Sequence, residues 1–456
     1  MKTTILGLLL ILSINLYAQN PIVQTHYTTD PAPMVYNNTA YVFTGVDEPE
    51  ADFFHMYEWR LYASDDMVNW LDCGSPLSLS NFSWACDRAW AGQCVERNGK
   101  FYWYICAQSK LTNTMAIGVA VADKITGPYK DAIGKPLIEG NWDYIDPTVF
   151  VDDDGSAWLM WGNPHIYYVK LNNNMISFEG KVNRLNETES GFGAPDPELR
   201  QKDVKYKDCY TEGPWLSKRN GKYQLLYAAG GVPEHIAYST ADNITGPYTY
   251  AGEIMPLEET KSFTNHCGVT DYKGHSYFFY HTGKLPRGGG FNRSVAVEEF
   301  VYNSDGSFPV IHHTDAGVNP IETFNPYKKR VQAECMAFSK GITTQCNKKN
   351  GVYVSDIHNG DYIKLRNVDF GNSKFKIAEV FAASGLRGGK INFCVDSIAN
   401  KPFACVNVSE TDGWESFKSF NAEVNKAPTG IHDLYLVFEG QKGCKLFNFD
   451  FWILKQ

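Results

Sequence analysis

The sequence predicts an all-β protein in two parts, a five-bladed β-propeller followed by a β-sandwich of the jelly-roll kind. Three observations carry this. Five times a tight turn leads into a short aromatic strand. The later turn glycines, Gly99, Gly155, Gly221 and Gly274, sit 56, 66 and 53 residues apart. After about residue 330 the pattern changes to plain alternating strands. Repeats near fifty residues with several strands each are the signature of propeller blades.

Taken in order, the repeats are Asn38-Thr39 before AYVFTG, Asn98-Gly99 before KFYWYICA, Asp154-Gly155 before SAWLMWG, Asn220-Gly221 before KYQLLYAAGG and Lys273-Gly274 before HSYFFYHTG. A second strand follows in each, and ITGPY recurs at 125–129 and 244–248, which marks internal duplication. Helix signals are nearly absent. The stretch 325–330 is polar, contains Pro326 and reads as a linker. Beyond it, GDYIKLRNVDF, KFKIAEVFAAS, GGKINFCVDS, FACVNVS, HDLYLVFEG and CKLFNFDFWIL read as the strands of a sandwich. The expected divisions are 1–18, 19–327 and 328–456.

The repeats also locate a site. Counting back nine from Thr39, Gly99, Gly155, Gly221 and Gly274 reaches Asp30, Trp90, Asp146, Glu212 and Asn265, with His266 next to the last. Equal offsets mean equivalent places, so three acids, an aromatic ring and an Asn-His pair converge on the propeller axis. Carboxylates beside aromatic walls are what hydrolysis of a sugar bond requires. Trp161 is a further candidate wall, with Phe54 and Trp59 at the rim.

Composition narrows the class. The chain has 456 residues, 14% of them aromatic, and a net charge of -9 with no basic run. Nucleic acid is therefore not an expected partner. Lys2, the apolar run ILGLLLILSI and Leu16-Tyr17-Ala18 read as a signal peptide cleaved after Ala18. No later stretch reaches the roughly 20 apolar residues that span a bilayer. With no Cys at the cleavage point, an exported, periplasmic or extracellular, non-membrane monomer is expected. The 11 cysteines leave their pairing open. Asp152-Asp153-Asp154 reads as a solvated hairpin tip rather than a calcium loop.

The segments YTTDPAPMVYNNTAYVFTG, YIDPTVFVDDDGSAWLMWG and CYTEGPWLSKRNGKYQLLYAAGG resemble, in order, the base, orienting-acid and general-acid motifs of glycoside hydrolase family 43. One departure is Trp90-Ala91-Gly92, where that family more often has Trp-Ala-Pro. The resemblance implies Asp30 as general base, Glu212 as general acid and Asp146 as the acid that positions Glu212. It also implies His266 near a central metal or water and Arg293 reaching the substrate. The tail resembles carbohydrate-binding module family 6 through VQAE, GVYVSDIHNGDYIKL, TDGWESF and LFNFDFW. That implies Tyr353 and Trp414 as a ring pair around a sugar, Asn448 as its polar contact, and Gln332, Glu334 and Asp450 as calcium ligands.

The expected activity is exo-acting, inverting release of terminal pentoses, α-L-arabinofuranosyl or β-D-xylosyl, from hemicellulose such as arabinoxylan. No cofactor is expected for catalysis; structural Ca²⁺ is expected in the propeller channel and in the tail. The alternatives are an endo-arabinanase or endo-xylanase on the same scaffold, a retaining fructan-cleaving propeller, and a sugar-binding propeller without catalysis.

Overall fold

The computed structural model describes residues 19–193, 208–257, 260–327, 330–372 and 374–456. The expected signal peptide, residues 1–18, lies outside them, as do Lys328 and Lys329 of the linker.

Five antiparallel sheets follow one another along the first part. Their innermost strands are Thr28–Tyr36, Gly92–Arg97, Thr148–Val151, Tyr210–Arg219 and Gly268–Tyr272. Each is paired outward with an aromatic second strand: Thr39–Val46, Lys100–Ser109, Ala157–Trp161, Lys222–Ala229 and His275–Thr282. A blade between two other blades is buried on both faces, which is why these second strands are continuously apolar. In the second blade Phe101, Trp103, Ile105 and Ala107 enter one core cluster, while Tyr104 and Cys106 enter another. The fourth blade divides Leu226 and Ala228 from Leu225 and Tyr227 in the same way. The ITGPY repeats play one structural part twice: Tyr129 and Tyr248 are buried and donate to the carbonyls of Ile125 and Ile244, at 3.0 and 2.9 Å.

Two details depart from the sequence reading. The first hairpin turns at Asn37-Asn38, both at positive φ (47° and 61°), one residue earlier than expected. Asparagine tolerates this left-handed region better than most residues. The fifth blade has only three strands of its own. Its outer edge is covered by residues 19–23. The Ile22 N–H donates to the Val295 carbonyl at 2.8 Å, and the Asn20 side chain both donates to and accepts from the backbone of Val297 at 3.1 and 3.0 Å.

The tail is a sandwich of a six-stranded and a five-stranded sheet. The first is centred on Asn448–Lys455, the second on Ile431–Glu439, with Trp452, Leu434 and Leu436 buried between them. The linker does not hold the two parts apart. Cys335–Met336 pairs with Trp70–Asp72 as a further strand on the first blade. Beside it lies a buried polar cluster. Arg60 Nη2 donates to Asp72 Oδ2 at 2.7 Å, and the Thr344 hydroxyl of the tail donates to the same oxygen at 2.6 Å.

Candidate active site

Each innermost strand begins at one end of the propeller, and each second strand returns there. The strand starts and the loops between second and third strands therefore share that end. There the structure brings together Asp30, Trp90, Asp146, Glu212, His266 and Arg293 around a pocket of about 230 Å³. That is smaller than the roughly 300–1,000 Å³ of drug-sized ligand sites, and suits a single sugar ring.

The acids differ in environment. Asp30 is 7% exposed. Burial pushes its carboxyl up, but Arg293, His266, His281 and the Thr29 hydroxyl together outweigh that and hold it below the usual carboxylate range. Arg293 Nη1 is 3.4 Å from Asp30 Oδ1, His281 Nδ1 3.5 Å and His266 Nδ1 3.8 Å, and Thr29 Oγ1 donates at 2.8 Å. Glu212 is the opposite case. Burial first, and then the Asp30 charge, raise its carboxyl, against hydrogen bonds from Asn163 and Glu234 and the charge of Arg293. Asp146, 6% exposed, is raised well above its ordinary value by burial and by Glu212 and Asp30, against the Gly213 N–H that donates to Oδ2 at 3.1 Å. One carboxyl held below the ordinary carboxylate range beside another raised above it is the division of labour that acid–base hydrolysis needs.

Backbone geometry aims these groups. Asp30 and Asp146 both hold positive φ, 51° and 57°, where an ordinary side chain is strained. Such strain tends to gather at functional sites. Gly213, at φ 59°, lies so close to His266 that an added Cβ would sit 3.0 Å from Nδ1.

Aromatic residues form the other wall. Phe53, Phe54 and Trp90 line the pocket, and the Arg293 guanidinium lies 4.9 Å from the centre of the Phe54 ring. Trp90 Nε1 donates to the Phe54 carbonyl at 3.0 Å, which fixes the wall to the loop. Trp161, expected as a wall, and Trp59, expected at the rim, are elsewhere. Trp161 is fully buried in the core between the second and third blades, stacked on Tyr167. Trp59 is 1% exposed, its Nε1 donating to the Trp90 carbonyl at 2.7 Å. Both follow strand alternation into the core rather than the axis. Asp152 is an ion-pair partner of Lys218 at 2.7 Å at its hairpin tip.

Arg293, which the resemblance implied as reaching the substrate, borders the pocket and is also held from behind. Asp47, 1% exposed, binds its Nε at 2.9 Å and its Nη2 at 2.7 Å, leaving Nη1 toward Asp30. Its charge is thus aimed at the acid while it still borders the pocket. Asp47, Asn163, His281 and Glu234 escaped the sequence reading. Asp47, Asn163 and Glu234 lie at or just past the end of a second strand, so a search of those loops, rather than of one fixed offset, would have found them. His266, near which a metal or water was expected, borders the pocket with its Nδ1 3.8 Å from Asp30 Oδ1, and His281 meets the same oxygen. One ring nitrogen of His281 lies 3.1 Å from the Thr29 hydroxyl, and the other 2.9 Å from the Thr264 carbonyl.

Two family models match the chain. Residues 18–308 match the model of glycosyl hydrolases family 43, and residues 332–456 that of carbohydrate binding module family 6. The chain belongs to glycosyl hydrolase family 43. Among family 43 relatives, it is 31% identical to an arabinoxylan arabinofuranohydrolase of Bacillus subtilis, over 96% of this chain and 92% of that one. A xylosidase/arabinosidase of Bacteroides ovatus is 30% identical over 64% of this chain and 98% of its own. The crystal structure of a Bacillus subtilis family 43 arabinoxylan arabinofuranohydrolase in complex with cellotetraose superposes with a TM-score of 0.80, at 29% identity, covering 96% of this chain and 97% of that one. A family 43 β-xylosidase/α-arabinofuranosidase from a compost metagenome, a calcium-free form with xylotriose, covers 65% of this chain and 97% of its own, at 27% identity and a TM-score of 0.58.

In this family 43 chain the tail site departs from expectation. Tyr353 is 2% exposed and packs edge-on against Phe417. Asn448 is buried, with its amide donating to the Trp414 carbonyl at 2.7 Å and its carbonyl oxygen accepting from Ser355 at 3.0 Å. The Lys445 ammonium lies 4.7 Å from the centre of the Trp414 ring. The chain's own groups thus occupy what an open sugar clamp would leave free. The calcium ligands divide as well. Gln332 lines a cleft between the two parts. Glu334 and Asp450 are both buried, and burial raises each carboxyl; the charges of Asp72 and then Asp450 add to the rise at Glu334, while the Asn350 amide and Arg330 oppose it at Asp450. Glu334 Oε2 and Asn350 Oδ1 are buried without a protein donor.

Proposed function

We propose that this family 43 enzyme is an exo-acting, inverting glycosidase that removes terminal α-L-arabinofuranosyl residues from arabinoxylan. β-D-Xylosyl release is the second reading, favoured by the xylosidase/arabinosidase relatives. The observation that carries the proposal is that Asp30, held below the usual carboxylate range, and Glu212, raised above it, border one pocket sized for a single ring. Asp30 would take a proton from the attacking water while Glu212 gives one to the leaving oxygen. Asp146 supports Glu212 by opposing its ionisation and by holding the Gly213 N–H. The aromatic wall offers flat apolar surface to the sugar.

A panel of aryl arabinofuranoside, aryl xyloside and arabinoxylan distinguishes the substrates, and NMR of the first-formed product reads its anomeric configuration. Asp30→Asn is expected to lose about 10²–10⁴-fold on every substrate. Glu212→Gln is expected to lose heavily on arabinoxylan and much less on nitrophenyl glycosides, whose leaving group departs without protonation. Equal losses on both, or early product of retained configuration, would overturn the reading.

The tail would hold the enzyme on the polysaccharide, raising local substrate concentration. Retardation in affinity gels containing xylan or arabinan tests this. Glu334, Asp450 and the Asn350 carbonyl oxygen suit a calcium ion, which takes oxygen ligands and would offset the negative charge gathered around Glu334. Chelation should then lower the melting temperature, and an unchanged temperature argues against the ion. The apolar leader favours export, which a search for mature protein beginning at Gln19 in culture medium or periplasm would check. The chain is expected to act as a monomer, which its sedimentation would show.

A further inference from the structure

The rim of the pocket carries a cation that the acid–base chemistry does not use. Arg88 follows the short strand Ala85–Asp87 of the second blade and holds positive φ, 61°, which is uncommon for a long side chain. Its guanidinium carbon lies over three rings, 5.0 Å from the centre of Trp90, 5.1 Å from that of Phe53 and 5.5 Å from that of Trp142. Phe53 comes from the first blade and Trp142 from the loop that leads to Asp146 in the third, so three blades meet around one charge. Phe53 and Trp90 line the pocket, which puts Arg88 one ring away from it. Phe53 is 39% exposed and Trp142 49%, so the group opens to solvent. Ring faces attract a cation but leave its N–H groups without strong acceptors. Among the described residues, the one side-chain hydrogen bond of Arg88 runs from Nε to Gln108 Oε1, at 3.3 Å, and no carboxylate forms an ion pair with it. Its neighbour Asp87 instead accepts from the Arg88 backbone N–H at 2.8 Å.

Resting on the reading of the pocket as an arabinofuranosidase site, we propose that Arg88 is a specificity-determining residue that binds the carboxylate of a uronosyl branch on the polysaccharide, beside the pentose being removed. The chemistry of the group favours this. A guanidinium whose charge rests on ring faces still presents its Nη N–H groups, and that planar fork matches the two oxygens of a carboxylate. A neutral sugar hydroxyl would take one N–H and leave the charge unmet. Two other arginines at this end of the propeller are occupied, Arg293 by Asp47 and Arg287 by Glu50 at 3.1 Å. The chain carries a net charge of -9, so an acidic polymer meets general repulsion, and a cation at the pocket mouth selects where it can dock. The exposed faces of Phe53 and Trp142 give the neighbouring main-chain sugars a flat apolar surface. Because one ring separates Arg88 from the pocket, the branch it reads belongs to the main-chain residue that bears the pentose or to the next one.

The test compares an arabinoxylan bearing uronosyl branches with the same polymer after its carboxyls are reduced to alcohols. For the wild-type enzyme, kcat/KM for arabinose release should be about three- to tenfold higher on the acidic form, the size of a charged hydrogen bond at a half-open site. That ratio should approach one in Arg88→Gln. It should keep an intermediate value in Arg88→Lys, which retains the charge without the fork. An effect passed through Trp90 to the pocket changes both substrates alike and cancels in the ratio. High salt should shrink the wild-type preference. Equal wild-type rates on the two polymers, or a preference that survives Arg88→Gln, would overturn the proposal; should Arg88→Gln not fold, an undiminished ratio in Arg88→Lys at high salt does the same. A wild-type enzyme that releases no arabinose from either polymer would instead sink the proposed activity. Calorimetric binding of a uronosyl xylo-oligosaccharide and of its reduced form, to wild type and Arg88→Gln, then decides whether Arg88 reads the acid.

Discussion

At the scale of single residues, the site separates similar carboxyls by what surrounds them. Asp30 meets a guanidinium, two imidazoles and a hydroxyl; Asp146 meets other acids and one backbone N–H. This has a consequence for stability. A carboxyl raised in the folded state contributes stability that is fully present below its unfolded pKa, about 3.9 for Asp, and is lost as pH rises through the folded value. Asp146 is such a group, so the wild-type protein should weaken from mildly acidic toward alkaline pH. Asp146→Asn removes that penalty and leaves an oxygen for the Gly213 N–H. Its melting temperature should match the wild type near pH 4 and exceed it at pH 8, by an amount that grows with pH. Scanning calorimetry at both pH values checks this, and equal melting at pH 8 would show that Asp146 ionises freely. Part of this was legible in the sequence, since the three acids share one offset from their turns. Glu234 and Asp47 were not, because they belong to loops whose lengths differ from blade to blade.

At the scale of elements, alternation within each second strand sends successive side chains into the cores on its two sides. That reads as a continuous apolar run, and it also explains why Trp161, expected in the pocket, is packed in a core instead. The fifth blade lacks an outer strand, and the N-terminal segment supplies the missing partner. Asn20 is the centre of that closure. Its amide donates to the carbonyls of Val297 and Thr314 and to Glu298 Oε1, and its oxygen accepts from the Val297 N–H. Asn20→Ala would leave those buried groups without partners and should destabilise the propeller by about 3 kcal/mol. Urea unfolding followed by tryptophan fluorescence measures the change; a difference below about 0.5 kcal/mol would mean that the closure is carried by Ile22 and Val23 packing alone.

At the scale of the whole molecule, the sandwich is built onto the propeller. A short strand of the tail extends the first blade. The Thr344 hydroxyl completes the Asp72–Arg60 pair and also meets His26 Nε2 at 2.8 Å. Burial and the Arg60 charge push the His26 imidazole down to about 3, so it stays neutral there. Thr344→Val keeps the volume and removes a donor to a buried carboxylate, at a cost of about 2 kcal/mol. Excising residues 328–456 should lower the melting temperature of the remaining propeller, because the Arg60–Asp72 pair loses its cover. An unchanged Thr344→Val variant, together with a propeller that melts like the full chain, would show two independent domains after all.

The class of the fold, the number of blades and three acids at one end of the axis were legible in the local pattern of the chain. These rest on local chemistry: turn residues that accept positive φ, strands whose apolar runs need burial on two faces, and a fixed distance from turn to strand start. Long-range packing settled which aromatic rings reach the pocket, that Arg293 is clamped by Asp47, and that the tail is docked on the first blade. Each of these depends on residues tens to hundreds of positions apart meeting across a closed ring. No local pattern records such a meeting, because the free energy that selects it comes from packing and charge between blades.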